Sequence, residues 1–187
     1  MTPERVLQEL LAGNRRFASN QLTSIQHGLD LLKSRMVNKP EPIAAVLACA
    51  DSRVPVELLF DQTIGQLFVT RVAGNLVTPE VMASLEFAVA ILSVKVVLVL
   101  GHTNCGLVTA AMTAQAVPGR ISSLYPAVQR AVEASDGNVT RAIQVNATVQ
   151  ADLLRTSSAV IREAEQSARI TVASGVYDLA SGMVNLI

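Results

Sequence analysis

The stretch IAAVLACADSR (43–53) decides the fold. Its first six residues are apolar and do not alternate with polar ones. A strand with one wet face alternates, whereas a parallel strand buried on both faces does not. Straight after the run come Cys49, Asp51 and Arg53, at alternate positions. Working outward, GQLFVTRVAG (65–74) and VKVVLVLG (94–101) read as further strands, the latter another unbroken apolar run. Between them, Thr78-Pro79 supplies an N-cap and a proline at the first helical position, and the helix it opens runs to about Leu92. Strands that alternate with helices predict an α/β layer fold. We expect a mostly parallel central sheet, about four parallel strands plus a short terminal strand, flanked by helices.

The remaining segments fit this frame. Residues 3–18 carry Val6, Leu7, Leu10 and Leu11 at helical spacing, and Gly13-Asn14 is placed to end or kink that helix. A second, weaker helix is expected over 24–36, and Lys39-Pro40-Glu41-Pro42 breaks the chain before the first strand. A helix starts after Cys105, and residues 121–134 and 138–165 also read as helices. In the longest, Ile143, Val149, Leu153, Val160 and Ile161 share a rough face. The closing ARITVASGVYDLASGMVNLI gives a strand, a turn at Ser181-Gly182 and a last short strand. We expect one domain over 1–187, with an N-terminal helical arm (1–36) and an α/β core (43–187).

Composition limits the function classes. Half of the residues are hydrophobic, 16% are charged and the formal net charge is zero, so no basic surface invites nucleic acid or an anionic membrane. Trp is absent and aromatics are 3%, so the core must be aliphatic. No apolar run approaches the roughly 20 residues needed to cross a bilayer. The N-terminal MTPERVLQELLAGNRRF is amphipathic and charged, with no signal-peptide core, so the cytoplasm is the expected location.

In parallel sheets, ligands bind beyond the carboxyl ends of the strands. One such end carries Cys49, Asp51 and Arg53. Another carries GHTNCG (101–106), with His102 and Cys105. Adjacent ends would form a Cys2His set with an aspartate beside it. Cys and His are the ligands Zn²⁺ prefers, and three protein ligands with one open position is the pattern of a catalytic zinc. A helix N-terminus after Cys105 would favour its thiolate. Asp51 and Arg53, at i and i+2 on an extended segment, point to one side, where the arginine can hold the carboxylate in one orientation. Each feature alone has a plainer reading. A lone strand-end cysteine is usually a small buried residue, D-S-R a surface turn, and two cysteines a disulfide pair. The set together, using every cysteine in the chain, favours a metal centre. His27 has no visible partner and is given no role.

C-A-D-S-R (49–53) followed, about fifty residues on, by G-H-T-N-C-G (101–106) resembles the β-class carbonic anhydrases. LQELLAGNRRF, VPVELLFDQTIGQLFVTRVAGN and GVYDLASGMVNLI extend the resemblance over nearly the whole chain. It implies one Zn²⁺ per chain on Cys49, His102 and Cys105, and Asp51 and Arg53 as the dyad that gates the metal. The implied reaction is reversible hydration of CO2 to bicarbonate and a proton by zinc-bound hydroxide. Two readings stand beside it: a related zinc hydrolase of CS2 or COS, and a zinc- or bicarbonate-binding protein with weak catalysis. Phe68 and Phe87 match the family's aromatic pocket positions, and Gly106 follows the last ligand as it does there. The family builds its site between two chains, so a homo-oligomer, at least a dimer, is implied. There are two departures. Members regulated at a non-catalytic bicarbonate site carry a Trp where this chain has Val46, although Arg71 matches that site's arginine. Plant-type members carry a substrate-binding Gln nine residues before the first Cys, where this chain has Pro40. The nearby Asn38-Lys39-Pro40 makes Asn38 the candidate replacement.

Overall fold

The computed structural model describes residues 1–24, 33, 37 and 40–187. The helix expected over 24–36 falls largely outside the described residues, and Asn38 falls outside them.

Helix α1 (Pro3–Ala18) is capped by Thr2, whose side chain accepts from the Arg5 N–H. It is followed by β1 (Ala44–Ala48), α2 (Val56–Leu59), β2 (Leu67–Arg71), α3 (Pro79–Ala90), β3 (Val96–His102), α4 (Gly106–Met112), α5 (Tyr125–Glu133), α6 (Val139–Ser157), α7 (Ala159–Gln166), β4 (Thr171–Tyr177) and β5 (Val184–Leu186). The strands form one sheet in the order β2-β1-β3-β4-β5. The first four are parallel, and β5 returns antiparallel to β4. No helix among the described residues is long and apolar enough to cross a membrane.

The unalternating runs have the expected cause. Every residue of β1 and of β3 is buried. Successive side chains point to opposite faces. Ala45, Leu47, Val97 and Val99 pack on one face with Val81 and Leu85 of α3, Leu154 of α6 and Ile161 of α7. Ala44, Val46, Leu98 and Leu100 pack on the other with Val6 and Leu10 of α1 and Leu59 of α2. The chain leaves β1 toward β2 on one side and leaves β3 toward β4 on the other. Diverging connections open a crevice between the carboxyl ends of β1 and β3, the usual place for a ligand in such sheets.

Three local expectations are corrected. Gly13-Asn14 neither ends nor kinks α1, which continues to Ala18. A Cβ at Gly13 would lie 1.8 Å from the Phe60 carbonyl oxygen, so glycine is there for close approach of α1 to the end of α2. The buried Asn14 amide donates to the Leu59 and Gly182 carbonyls and accepts from the Val184 N–H, tying α1 to α2 and β5. Secondly, 121–134 begins as a 3-10 turn over Ile121–Leu124 before α5. Thirdly, 138–165 is two helices. Ser158 is extended, accepts from the Ile161 N–H as the cap of α7 and donates to Glu86. The buried face of α6 holds Ile143, Ala147, Ala151 and Leu154 with Asn146 and Gln150, while Leu153 and Val160 are exposed. Small alanines, rather than the larger residues expected there, let α6 approach the sheet closely.

Candidate metal centre

Cys49 is the first residue past β1, His102 the last of β3, and Cys105 the N-cap of α4. The sheet register sets Ala48 beside Leu100, so both chain exits open into the same crevice. The ligand atoms of Cys49, His102 and Cys105 all lie within 4.8 Å of one another, and all three residues are buried.

His102 is the most informative member. Its Nδ1 lies 2.9 Å from the Thr103 carbonyl oxygen, which accepts only if Nδ1 carries the proton. Nε2 then presents a lone pair, and it is buried without a hydrogen-bond partner among the described residues. An unsatisfied buried nitrogen is costly, and a cation among the two sulfurs would satisfy it. The donor set and its spacing therefore fit zinc.

The two thiols are not alike. A hydrogen bond from Cys105 pulls the Cys49 pKa down against burial, aided by the Gly74 N–H, which donates to Cys49 Sγ at 3.3 Å. Cys105 is pushed up by its bond to Cys49 and by burial. The N–H groups of Val108 and Leu107 act in the direction expected of a helix N-terminus, but are outweighed.

Asp51 stands beside this cluster, with Oδ2 3.9 Å from His102 Nε2. Arg53 holds it in a fork: Nε donates to Oδ1 at 2.9 Å and Nη2 to Oδ2 at 2.7 Å, while the Arg53 N–H also donates to Oδ1. Chiefly through this fork, the carboxyl is held well below the usual carboxylate range, so it stays ionised. Arg53 is itself placed by donating to the Asn104 carbonyl.

The other expected pocket residues are placed differently. Gly106 opens α4 beside Cys105, and a Cβ there would meet nothing within 4 Å, so the space is open. Phe68 pairs with Ala45, four residues before Cys49, which is about 13 Å back along the strand. Phe87 packs on Phe68 with ring centroids 6.4 Å apart and is 49% exposed. The two aromatics thus lie on the flank of edge strand β2, and the structure does not bring them to the Cys-His cluster of their own chain.

Three contributors escaped the sequence reading. Arg71, noted only for its match to a regulatory site, donates to the Cys49 and Asp51 carbonyls and pins the turn that carries both. Gly74 reaches Cys49 with its backbone, and Asn146 holds Gly74 from α6. The buried Asn-x-x-x-Gln pair of α6 was the available signal, since two amides one turn apart on an otherwise apolar face must be bonded to something.

Residues 44–184 match the family model described as carbonic anhydrase. A carbonic anhydrase of Mycolicibacterium smegmatis is 38% identical over 112 residues, covering 60% of this chain and 54% of the relative. The chain therefore matches about half the length of that relative. A carbonic anhydrase of Pseudomonas aeruginosa is 35% identical over 171 residues, covering 83% of this chain and 77% of that one. Among solved structures, a β-carbonic anhydrase of Aspergillus fumigatus superposes with a TM-score of 0.78 at 26% identity, covering 97% of this chain and 90% of that chain. With the family's match running from β1 into β5 and enclosing the whole Cys-His-Cys crevice, this chain belongs to the β-carbonic anhydrases.

Proposed function

We propose that the protein catalyses the reversible hydration of CO2 to bicarbonate and a proton, with one Zn²⁺ held by Cys49, His102 and Cys105. The observation that carries this reading is the unpartnered Nε2 of His102, buried between two thiols and facing an ionised carboxylate. Zinc bound there supplies a Lewis acid that makes hydroxide available near neutral pH. Asp51, ionised and beside the three ligands, would accept a hydrogen bond from a water held at the centre and so orient it. Arg53 keeps Asp51 ionised and in one orientation. Arg71 keeps the Cys49–Asp51 turn in register with His102.

Stopped-flow hydration of CO2 by the purified protein, with zinc quantified in the same sample, tests the proposal. About one zinc per chain and zinc-dependent hydration are expected; a zinc-loaded protein that leaves the rate at background would refute it. Asp51→Asn should keep fold and zinc but lower kcat/KM by roughly 10–100-fold. The amide cannot form the ion pair with Arg53 and offers a donor where an acceptor is needed. Arg53→Ala would free a carboxylate oxygen that lies 3.9 Å from His102 Nε2 to become a further ligand were zinc bound there. A zinc-loaded structure of that variant with the carboxylate off the metal would count against gating by Asp51.

We propose further that the working unit is a homo-oligomer, at least a dimer. Among the described residues the outer edge of β2 is unpaired, and Phe87 and Ile91 at the end of α3 are exposed. An open strand edge flanked by apolar side chains is ordinarily covered. Light scattering should give a mass of at least two chains; an active monomer of 19.8 kDa would overturn the proposal.

A further inference from the structure

The geometry points to Asn146 as a positioning residue for Cys49, acting through the backbone of Gly74. This inference rests on the metal reading above.

The connection is short and buried. Gly74 lies in the 3-10 turn after β2 with φ 75°, ψ 16°, and its N–H donates to Cys49 Sγ at 3.3 Å. A Cβ there would come within 2.5 Å of a Leu107 methyl, so the turn needs glycine on both counts. Such a residue has wide conformational freedom and no side chain to anchor it. Asn146 provides the anchor, since its Nδ2 donates to the Gly74 carbonyl at 2.9 Å. Gln150, one turn on, fixes Asn146 by donating to its Oδ1 at 3.2 Å. Gln150 is fixed in turn by donating to the Ala127 carbonyl and by accepting the Val77 N–H. Both amides are 1% exposed.

Burying two primary amides in an alanine-rich contact face brings no packing advantage over leucine. Every hydrogen bond of the pair but one runs to backbone, and the line of bonds ends on a sulfur of the metal set. Groups that hydrogen-bond metal ligands orient them and tune their donation. An N–H aimed at a thiolate withdraws charge from the sulfur. It also holds the sulfur on the axis from which it meets His102 and Cys105. Asn146 therefore sets both the place and the electron donation of the Cys49 sulfur from a neighbouring helix, touching neither metal nor substrate.

The test uses Asn146→Asp, which keeps the shape and the acceptor for Gln150 but loses the donor to Gly74, and Asn146→Ser, which is neutral and shorter. In the cobalt-substituted protein, the thiolate-to-metal charge-transfer band of either variant should move to lower energy, because the sulfur regains charge. Zinc affinity, measured by competition with a chromophoric chelator, should fall about tenfold or more. Leu154→Ala, a core change on the same helix, should lower thermal stability and leave the band in place. A band and affinity unchanged in the Asn146 variants, or a band that moves equally in Leu154→Ala, would overturn the assignment. A wild-type measurement guards against variants that fail to fold. With ¹¹³Cd in the site, the Gly74 amide proton should show scalar coupling to the metal across the hydrogen bond, and its absence would equally overturn it. Wild-type protein that takes up cobalt with no thiolate band would instead defeat the metal reading itself.

Discussion

Cys49→Ala should yield a folded protein that binds no zinc and does not hydrate CO2. The fold survives because the side chain is small and the strand before it is held by pairing on both sides with β2 and β3. The metal does not survive, because two ligands rarely retain zinc at working concentrations. His102 and Cys105 would remain in place, but the third side chain of the set is gone. Metal analysis beside circular dichroism checks this. Loss of zinc with native ellipticity is expected, and full zinc occupancy in the variant would show that the ligand assignment is wrong.

Asp61→Asn should lower stability by about 1–3 kcal/mol, the cost of leaving buried donors unsatisfied, since the partner Arg16 is 30% exposed and can turn to water. For a chain of this size that corresponds to a fall in Tm of roughly 2–12 °C. The Asp61 side chain is fully buried at the end of α2, in a left-handed conformation that asparagine also tolerates. It accepts from Arg16 of α1, from the N–H and hydroxyl of Thr23, and from the N–H and hydroxyl of Ser24. An amide would turn its NH2 onto some of these donors. Burial alone would raise the carboxyl's pKa, but Arg16, Ser24 and Thr23 outweigh it and hold the group well below the usual range. The sign follows from linkage. This stabilisation is present above the ordinary carboxylate pKa near 4, and is lost as pH falls from there toward the depressed folded value. The gap between wild type and Asp61→Asn should therefore be widest near neutrality and narrow below about pH 4. Thermal melts across that range decide it; a gap independent of pH would mean that Asp61 contributes shape rather than charge.

The sequence spoke most clearly where one residue type has one physical use. Unbroken apolar runs require burial on both faces, so β1 and β3 were legible, and the residues at their ends marked the crevice. Thr78-Pro79 likewise announced α3. Contributors acting through backbone atoms left little trace. Gly74 and the Arg71-to-carbonyl bonds depend on where the turns lie in space, not on any spacing along the chain. The four residues of α2 are too few to show a period. The face of α6 was misread because contact distance, set by alanines packed on the sheet, counted for more than side-chain size. Gly13 looked like a helix breaker because the Phe60 carbonyl that requires it is nearly fifty positions away.

The diverging exits of β1 and β3 have a consequence for assembly. About fifty residues of chain separate the first ligand from the second, and the entropy of closing so long a loop must be met before the ligands can meet. Pairing of β1 with β3 meets it, because the register that sets Ala48 beside Leu100 also delivers Cys49 to His102. If the cluster takes a metal as proposed, the ion should find a pocket that strand pairing has already made. Its uptake in a refolding experiment should then serve as a clock for completion of the central strands.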